Sequence, residues 1–281
     1  WKTDGTPTGT VKIIDLVSGK DWFAISKLLA VGDKLFVLAG YNGNALWISD
    51  GSAAGTKVLR YFPVKTIVKT PADPIIAIGS YVYFLGSSTS GTEQLWKSDG
   101  TKAGTVLVKT IGASWPTASI EKFVSLNNII YFSAYAKDST LWRSDGTTEG
   151  TFGIASPGDP PDIIVWNNSL YLNAYVNAPA GESHWSFFRS DGTAAGTVEL
   201  QKISAGPFAS NGNLLIFAGH DQEHGNELWI TDGTRQGTTL LKDIWRGYYS
   251  SDPNFLIATT TGIYFSADDG VHGNELFRLT P

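Results

Sequence analysis

The 281-residue chain has no cysteine and no methionine. Without cysteine there is no disulfide, no thiolate metal site and no cysteine nucleophile. Charge is sparse too, at 17% of residues, against about 25% in an ordinary soluble domain. Twenty-one basic residues against 26 acidic give a net charge of −5, which argues against a nucleic-acid or anionic-membrane surface. No run approaches the roughly 20 apolar residues of a membrane span, so no membrane insertion is expected. No window carries a sustained helical period either. Because methionine is missing even at position 1 and Trp1 lies inside a repeated motif, a processed protein or an excised segment is expected.

Aromatic side chains and glycine are plentiful, at 12% of residues and 31 copies, which favours strands joined by turns. Self-similarity organises them. The string Asp-Gly-Thr/Ser-x-x-Gly-Thr starts at Asp4, Asp50, Asp99, Asp145, Asp191 and Asp232, at spacings of 46, 49, 46, 46 and 41 residues. Three positions before each Asp stands an aromatic: Trp1, Trp47, Trp96, Trp142, Phe188 and Trp229, with Phe277 next in the series. Each period holds four short β-rich runs, here labelled A to D, separated by turn residues. In the first period these are residues 23–30, 34–40, 45–49 and 56–61; residues 254–280 supply only A, B and C. The spacing predicts an all-β fold: a six-bladed β-propeller of four-stranded antiparallel blades, as one domain over residues 1–281. Residues 10–15 match the D pattern, so the N-terminal strand is expected to join the last blade, close the ring and remove exposed sheet edges.

The repeated residues read as structure. An Asp carboxylate can accept backbone N–H bonds within its turn, glycine supplies positive φ, and the Thr hydroxyl bonds back to the chain. Calcium is disfavoured, because each loop offers one carboxylate where calcium takes 6–8 oxygens. The aromatic series suits blade-on-blade packing. Asp221 with His224, and Asp269 with His272, are weak metal candidates, but both pairs recur within the blade pattern and Gly-Asn is hairpin chemistry.

The motif Glu227-Leu228-Trp229-Ile230-Thr231-Asp232-Gly233-Thr234, with its counterparts at residues 94–101 and 141–147, resembles the ELWxxDGT, or hyalin-like, repeats of large secreted bacterial proteins. The resemblance runs through essentially the whole chain and implies an extracellular or cell-surface location. It implies no agreed activity and no catalytic residue. Residues 186–188 depart from it, with Ser-Phe-Phe in place of Glu-Leu-Trp.

Function is sought on the loops that vary, since rigid frames present binding groups there. The B–C and D–A connections share one end of each blade. Trp22, Trp115, Trp245, Tyr248 and Tyr249 stand there, off the repeat pattern. With Asp21 and Arg246 beside them they suit carbohydrate: rings cover apolar C–H faces while polar groups fix hydroxyls. A non-catalytic, lectin-like recognition module is therefore expected, with a glycan or a cell-surface protein as partner and no cofactor. The alternatives are a protein-interaction or adhesin module of a larger surface protein or filament, and a glycoside hydrolase. A hydrolase needs two opposed carboxylates that the sequence does not single out, and neither a Gly-x-Ser-x-Gly elbow nor a His-Glu-x-x-His helix is present.

Overall fold

The computed structural model describes residues 1–16, 24–40, 45–62, 75–88, 92–111, 120–136, 139–176 and 182–280. Asp21, Trp22 and Trp115 lie outside the described residues. Every regular element among the described residues is a strand, and no helix is long and apolar enough to cross a membrane. The chain divides into two compact units, Trp1–Gly153 and Ile154–Pro281.

In the first unit, β1 (Ala24–Val31), β2 (Lys34–Gly40), β3 (Ala45–Ser49) and β4 (Lys57–Tyr61) pair antiparallel in chain order. The same order recurs in β5 (Ile75–Ile78), β6 (Tyr81–Ser87), β7 (Glu93–Ser98) and β8 (Val106–Thr110). It recurs again in β9 (Ile120–Leu126), β10 (Ile129–Ala136), β11 (Ser139–Ser144) and β12 (Phe152–Ala155), the last straddling the boundary between units. Facing side chains of consecutive sheets fill one core. Phe36, Leu38, Leu46 and Ile48 of the first sheet interleave with Val82, Phe84 and Trp96 of the second.

The second unit repeats the plan. It holds β13 (Asp159–Trp166), β14 (Ser169–Val176), β15 (His184–Ser190) and β16 (Val198–Gln201). Next come β17 (Ser204–Asn211), β18 (Leu214–Asp221), β19 (Gly225–Thr231) and β20 (Thr239–Lys242). The final sheet has three strands, β21 (Asn254–Thr259), β22 (Gly262–Asp268) and β23 (Asn274–Leu279). Tyr171, Phe187, Phe217 and Trp229 share one buried cluster, and Ile216, Leu228, Ile263 and Phe265 another.

The Asp-Gly-Thr turns follow the chemistry expected of them. In the last copy the Asp232 carboxylate accepts the Thr234 N–H at 2.8 Å and its hydroxyl at 2.7 Å. The Thr234 hydroxyl takes the Gly237 N–H, and Thr238 donates back to the Thr234 carbonyl. The same set recurs at Asp4, Asp50, Asp99, Asp145 and Asp191. Bonds from the Thr or Ser two residues on hold all six carboxylates below the usual range. Both glycines are required: Gly233 sits at φ +90°, and a Cβ on Gly237 would collide with the Asp232 carboxylate.

The aromatic series is mostly core. Trp47, Trp96, Phe188 and Trp229 are buried, Trp142 and Phe277 half-buried, and Trp1 exposed. Pairing of residues 10–15 with the last C strand is not among the ladders of the described residues. Within the N-terminal segment, Lys2 and Val11 exchange two backbone bonds of 2.9 Å across the Asp4 turn.

Candidate functional site

Residues 243–253 connect β20 to β21 and carry four of the expected binding residues: Trp245, Arg246, Tyr248 and Tyr249. Their rings form a ladder. Trp245 stacks on Tyr249 with centroids 5.2 Å apart and planes 17° from parallel. Tyr249 stacks in turn on Tyr248 at 4.3 Å and 30°, and the Tyr248 hydroxyl donates to that of Tyr249 at 3.0 Å. That bond also raises the Tyr248 phenol above its ordinary range.

The ladder has an inner and an outer end. Trp245 is partly buried, and Gly270 of the β22–β23 loop lies against its pyrrole side so closely that an added Cβ would sit 2.5 Å from Nε1. Tyr248, at the outer end, is 72% exposed. Trp245 is therefore a pillar and Tyr248 the ring most open to a ligand. Arg246 is exposed beside them.

A side chain that sequence reasoning passed over holds this loop. Glu227 of β19 is fully buried. Its carboxylate accepts the backbone N–H groups of Ile244 at 2.8 Å and Ser251 at 3.0 Å, and the Ser251 hydroxyl at 2.6 Å. A longer bond of 3.4 Å comes from the Trp245 N–H. One buried charge thus ties both ends of the loop to the sheet, and charge-assisted bonds are the strong ones. The signal available in the sequence was a carboxylate between strand positions that bury their side chains, which is costly unless paired. Because Glu227 belongs to the repeated motif, it reads first as pattern.

Neighbouring bonds finish the brace. Asn226 accepts the Asp252 N–H at its carbonyl and donates through Nδ2 to the Asp252 carboxylate at 3.0 Å. The Asn226 N–H bonds the Ser250 hydroxyl at 3.0 Å, and the Ser251 carbonyl takes the Asp268 N–H at 2.8 Å. Gly225, at φ +70°, is required because a Cβ there would collide with the Tyr249 carbonyl.

The two Asp–His pairs flank the ladder as caps of their own loops. Asp221 accepts the backbone N–H groups of Glu223 and His224, and His224 Nδ1 lies 2.9 Å from its second oxygen. Asp269 does the same for Val271 and His272, with His272 Nδ1 at 2.8 Å. The hydrogen bond to Asp221 raises the His224 pKa, and the bond to Asp269 raises that of His272. Partial burial pushes Asp221 up, but its bonds from His224 leave it below the ordinary carboxylate range; Asp269 is held far below it by His272. No group of three metal-ligating side chains occurs among the described residues.

No family model matches the sequence, and no curated protein matches it. Solved structures do. The β-propeller domain of the Trilobed protease from Pyrococcus furiosus, described as having an open velcro topology, is 12% identical with a TM-score of 0.50, covering 94% of this chain and 85% of that one. A prolyl endopeptidase structure is 12% identical with a TM-score of 0.52, covering 98% of this chain and 46% of that one. Dihydro-heme d1 dehydrogenase NirN matches at 12% identity and a TM-score of 0.50, over 89% of this chain and 52% of that one. At such identity the likeness shows fold alone: repeated antiparallel four-stranded sheets of the β-propeller kind.

Proposed function

We propose that this chain is a non-catalytic recognition module of the cell exterior that binds carbohydrate at residues 243–253. The carrying observation is the braced ladder: three stacked rings fixed by a buried carboxylate, with the most exposed ring, Tyr248, at the end. A sugar stacking on Tyr248 would meet a surface already ordered, so little conformational entropy opposes binding. Arg246 offers N–H donors to hydroxyls, and Asp252, Asp268 and Asp269 lie on the bracing and flanking loops. Such an acidic surround suits a neutral polyol, whose hydroxyls can donate to carboxylates. The exterior location rests on the likeness of the Leu-Trp-x-x-Asp-Gly-Thr repeat to hyalin-like repeats of secreted proteins.

The proposed frame is a closed six-bladed propeller in which residues 10–15 add a fourth strand beside β23. Support comes from one repeat position. Leu46, Leu95, Leu141, Phe187 and Leu228 are at most 2% exposed, whereas their counterpart Leu276 on β23 is 76% exposed. Those counterparts are covered by the following sheet, as Leu46 is by Val82 and Phe84 and Leu228 by Ile263 and Phe265. Closing the ring would bring a sheet over Leu276 too, and a fourth strand would occupy the open edge of the last sheet.

A glycan array followed by titration of hits against Tyr248→Ala tests the binding site. Binding of a neutral glycan by the parent, weakened at least tenfold in the variant with an unchanged Tm, is the expected result. Equal affinity in both proteins would remove the loop from consideration.

A further inference from the structure

A second site lies in the first unit, on the outer margin between its first two sheets. Arg60 and Tyr61 end β4, Phe62 follows, and Gln94, Trp96 and Leu107 face them from β7 and β8. Between them is a cavity of about 290 Å³, at the small end for ligand pockets and large enough for one sugar ring. We propose that this crevice binds the carboxylate of a uronic acid residue, with Arg60 as the recognising group.

The argument starts from what Arg60 does not do. Its guanidinium carbon sits 4.1 Å from the Trp96 ring centroid, packed over the indole. It makes no ion pair and donates no hydrogen bond among the described residues. The matching position one repeat later is Lys109, and that cation is fully engaged: its Nζ donates to the Thr148 carbonyl at 3.1 Å and to the Thr151 carbonyl at 2.6 Å. One repeat therefore uses this cation to bind the next turn, while the other leaves it stacked and unspent. Stacking occupies the face of a guanidinium and holds its plane, so the in-plane N–H fork remains available for a bidentate carboxylate. The Trp96 contact also fixes the cation without neutralising it.

The other walls narrow the ligand. Gln94 is already committed, accepting the Trp96 Nε1–H at 3.1 Å and donating to the Thr110 hydroxyl at 3.4 Å. Trp96 is covered by Arg60 and buried, so its face cannot receive a sugar. Tyr61 and Leu107 are exposed and offer an apolar wall, and the Tyr61 ring is set edge-on to Trp47 at 6.4 Å. A carboxylate on a compact ring with an apolar C–H face matches this set: the acid group to Arg60 and the ring against Tyr61 and Leu107. A plain inorganic anion would leave that wall unused.

This site is separate from residues 243–253, so the two readings fail independently. Tryptophan fluorescence and indole N–H NMR of the full chain would be followed during titration with glucuronic acid and a glucuronate-containing polysaccharide. Glucose and acetate serve as controls. The expected result is saturable binding of a uronate probe that weakens with salt, falls at least tenfold in Arg60→Gln, falls less in Arg60→Lys, and persists in Tyr248→Ala. Binding of the polysaccharide alone would place the uronate within a polymer; binding of both would place recognition on the single ring. Equal binding of glucose or acetate, indifference to Arg60→Gln, or no uronate binding would overturn the proposal. Should Arg60→Gln fold poorly, the acid-against-neutral contrast and the salt dependence of the parent protein decide the matter alone.

Discussion

The pentapeptide His-Gly-Asn-Glu-Leu occurs twice, at residues 224–228 and 272–276, and meets opposite surroundings. In the first copy Glu227 is fully buried and accepts four bonds, and Leu228 is 2% exposed. In the second, Glu275 is exposed and Leu276 is 76% exposed. The histidines behave alike, each bonded to the Asp three residues before it. Identical local sequence thus fixes the hairpin, while burial depends on the chain downstream of it. After the first copy the chain supplies residues 243–253, which bond Glu227, and then the next sheet, whose Ile263 and Phe265 pack with Leu228. The final sheet has three strands, with no fourth among the described residues.

Substitution at Glu gives the sharpest contrast. Glu227→Ala leaves buried N–H and O–H donors without an acceptor and is expected to cost about 4 kcal/mol in denaturant unfolding. Glu275→Ala should stay within about 0.5 kcal/mol. Equal losses would mean that the brace contributes nothing specific.

The leucines test ring closure. Leu228→Ala is expected to cost about 2–4 kcal/mol through its cavity. If the ring closes, a neighbouring sheet covers Leu276, and Leu276→Ala costs about 2 kcal/mol in the intact chain, falling toward nothing once residues 1–16, and with them the closure, are removed. That deletion should itself lower Tm well beyond the trimming of an ordinary terminus. A Leu276→Ala effect near zero in both backgrounds breaks the closure.

The smallest effect is electrostatic and should be shared by both copies. Raised histidine pKa values mean that each Asp–His bond contributes fully below the unfolded histidine value. The contribution then fades as pH rises through the folded one. The depressed Asp221 and Asp269 values work in the other direction: their share is present above the unfolded carboxylate value and is lost as pH falls. Both loops are therefore firmest in mildly acidic solution. NMR titration should place both imidazoles above an ordinary histidine, and Asp221→Asn or Asp269→Asn should return the partner to it.

Much of the frame was readable beforehand because its chemistry is local. The expected B and C runs at residues 34–40 and 45–49 coincide with β2 and β3. The turn bonds lie within a few residues of one another, so a seven-residue motif carries them. The site was only half readable. Tyr248 and Tyr249 stood out as aromatics off the pattern, but the ladder they make with Trp245 is seated against Gly270, which lies in the next sheet's loop. Glu227 was hidden because its partners lie 17 to 24 residues further on. Nothing in the sequence sets Arg60 apart from Lys109, its counterpart; only their contacts distinguish them.

The self-contained Asp turn has a consequence for lineage. Each copy completes its defining bonds without help from adjoining repeats, so a whole cassette can be copied, lost or spliced while its corner survives. Selection is then free to remodel the opposite loops one cassette at a time, and an array of near-identical corners can come to carry quite different specificities.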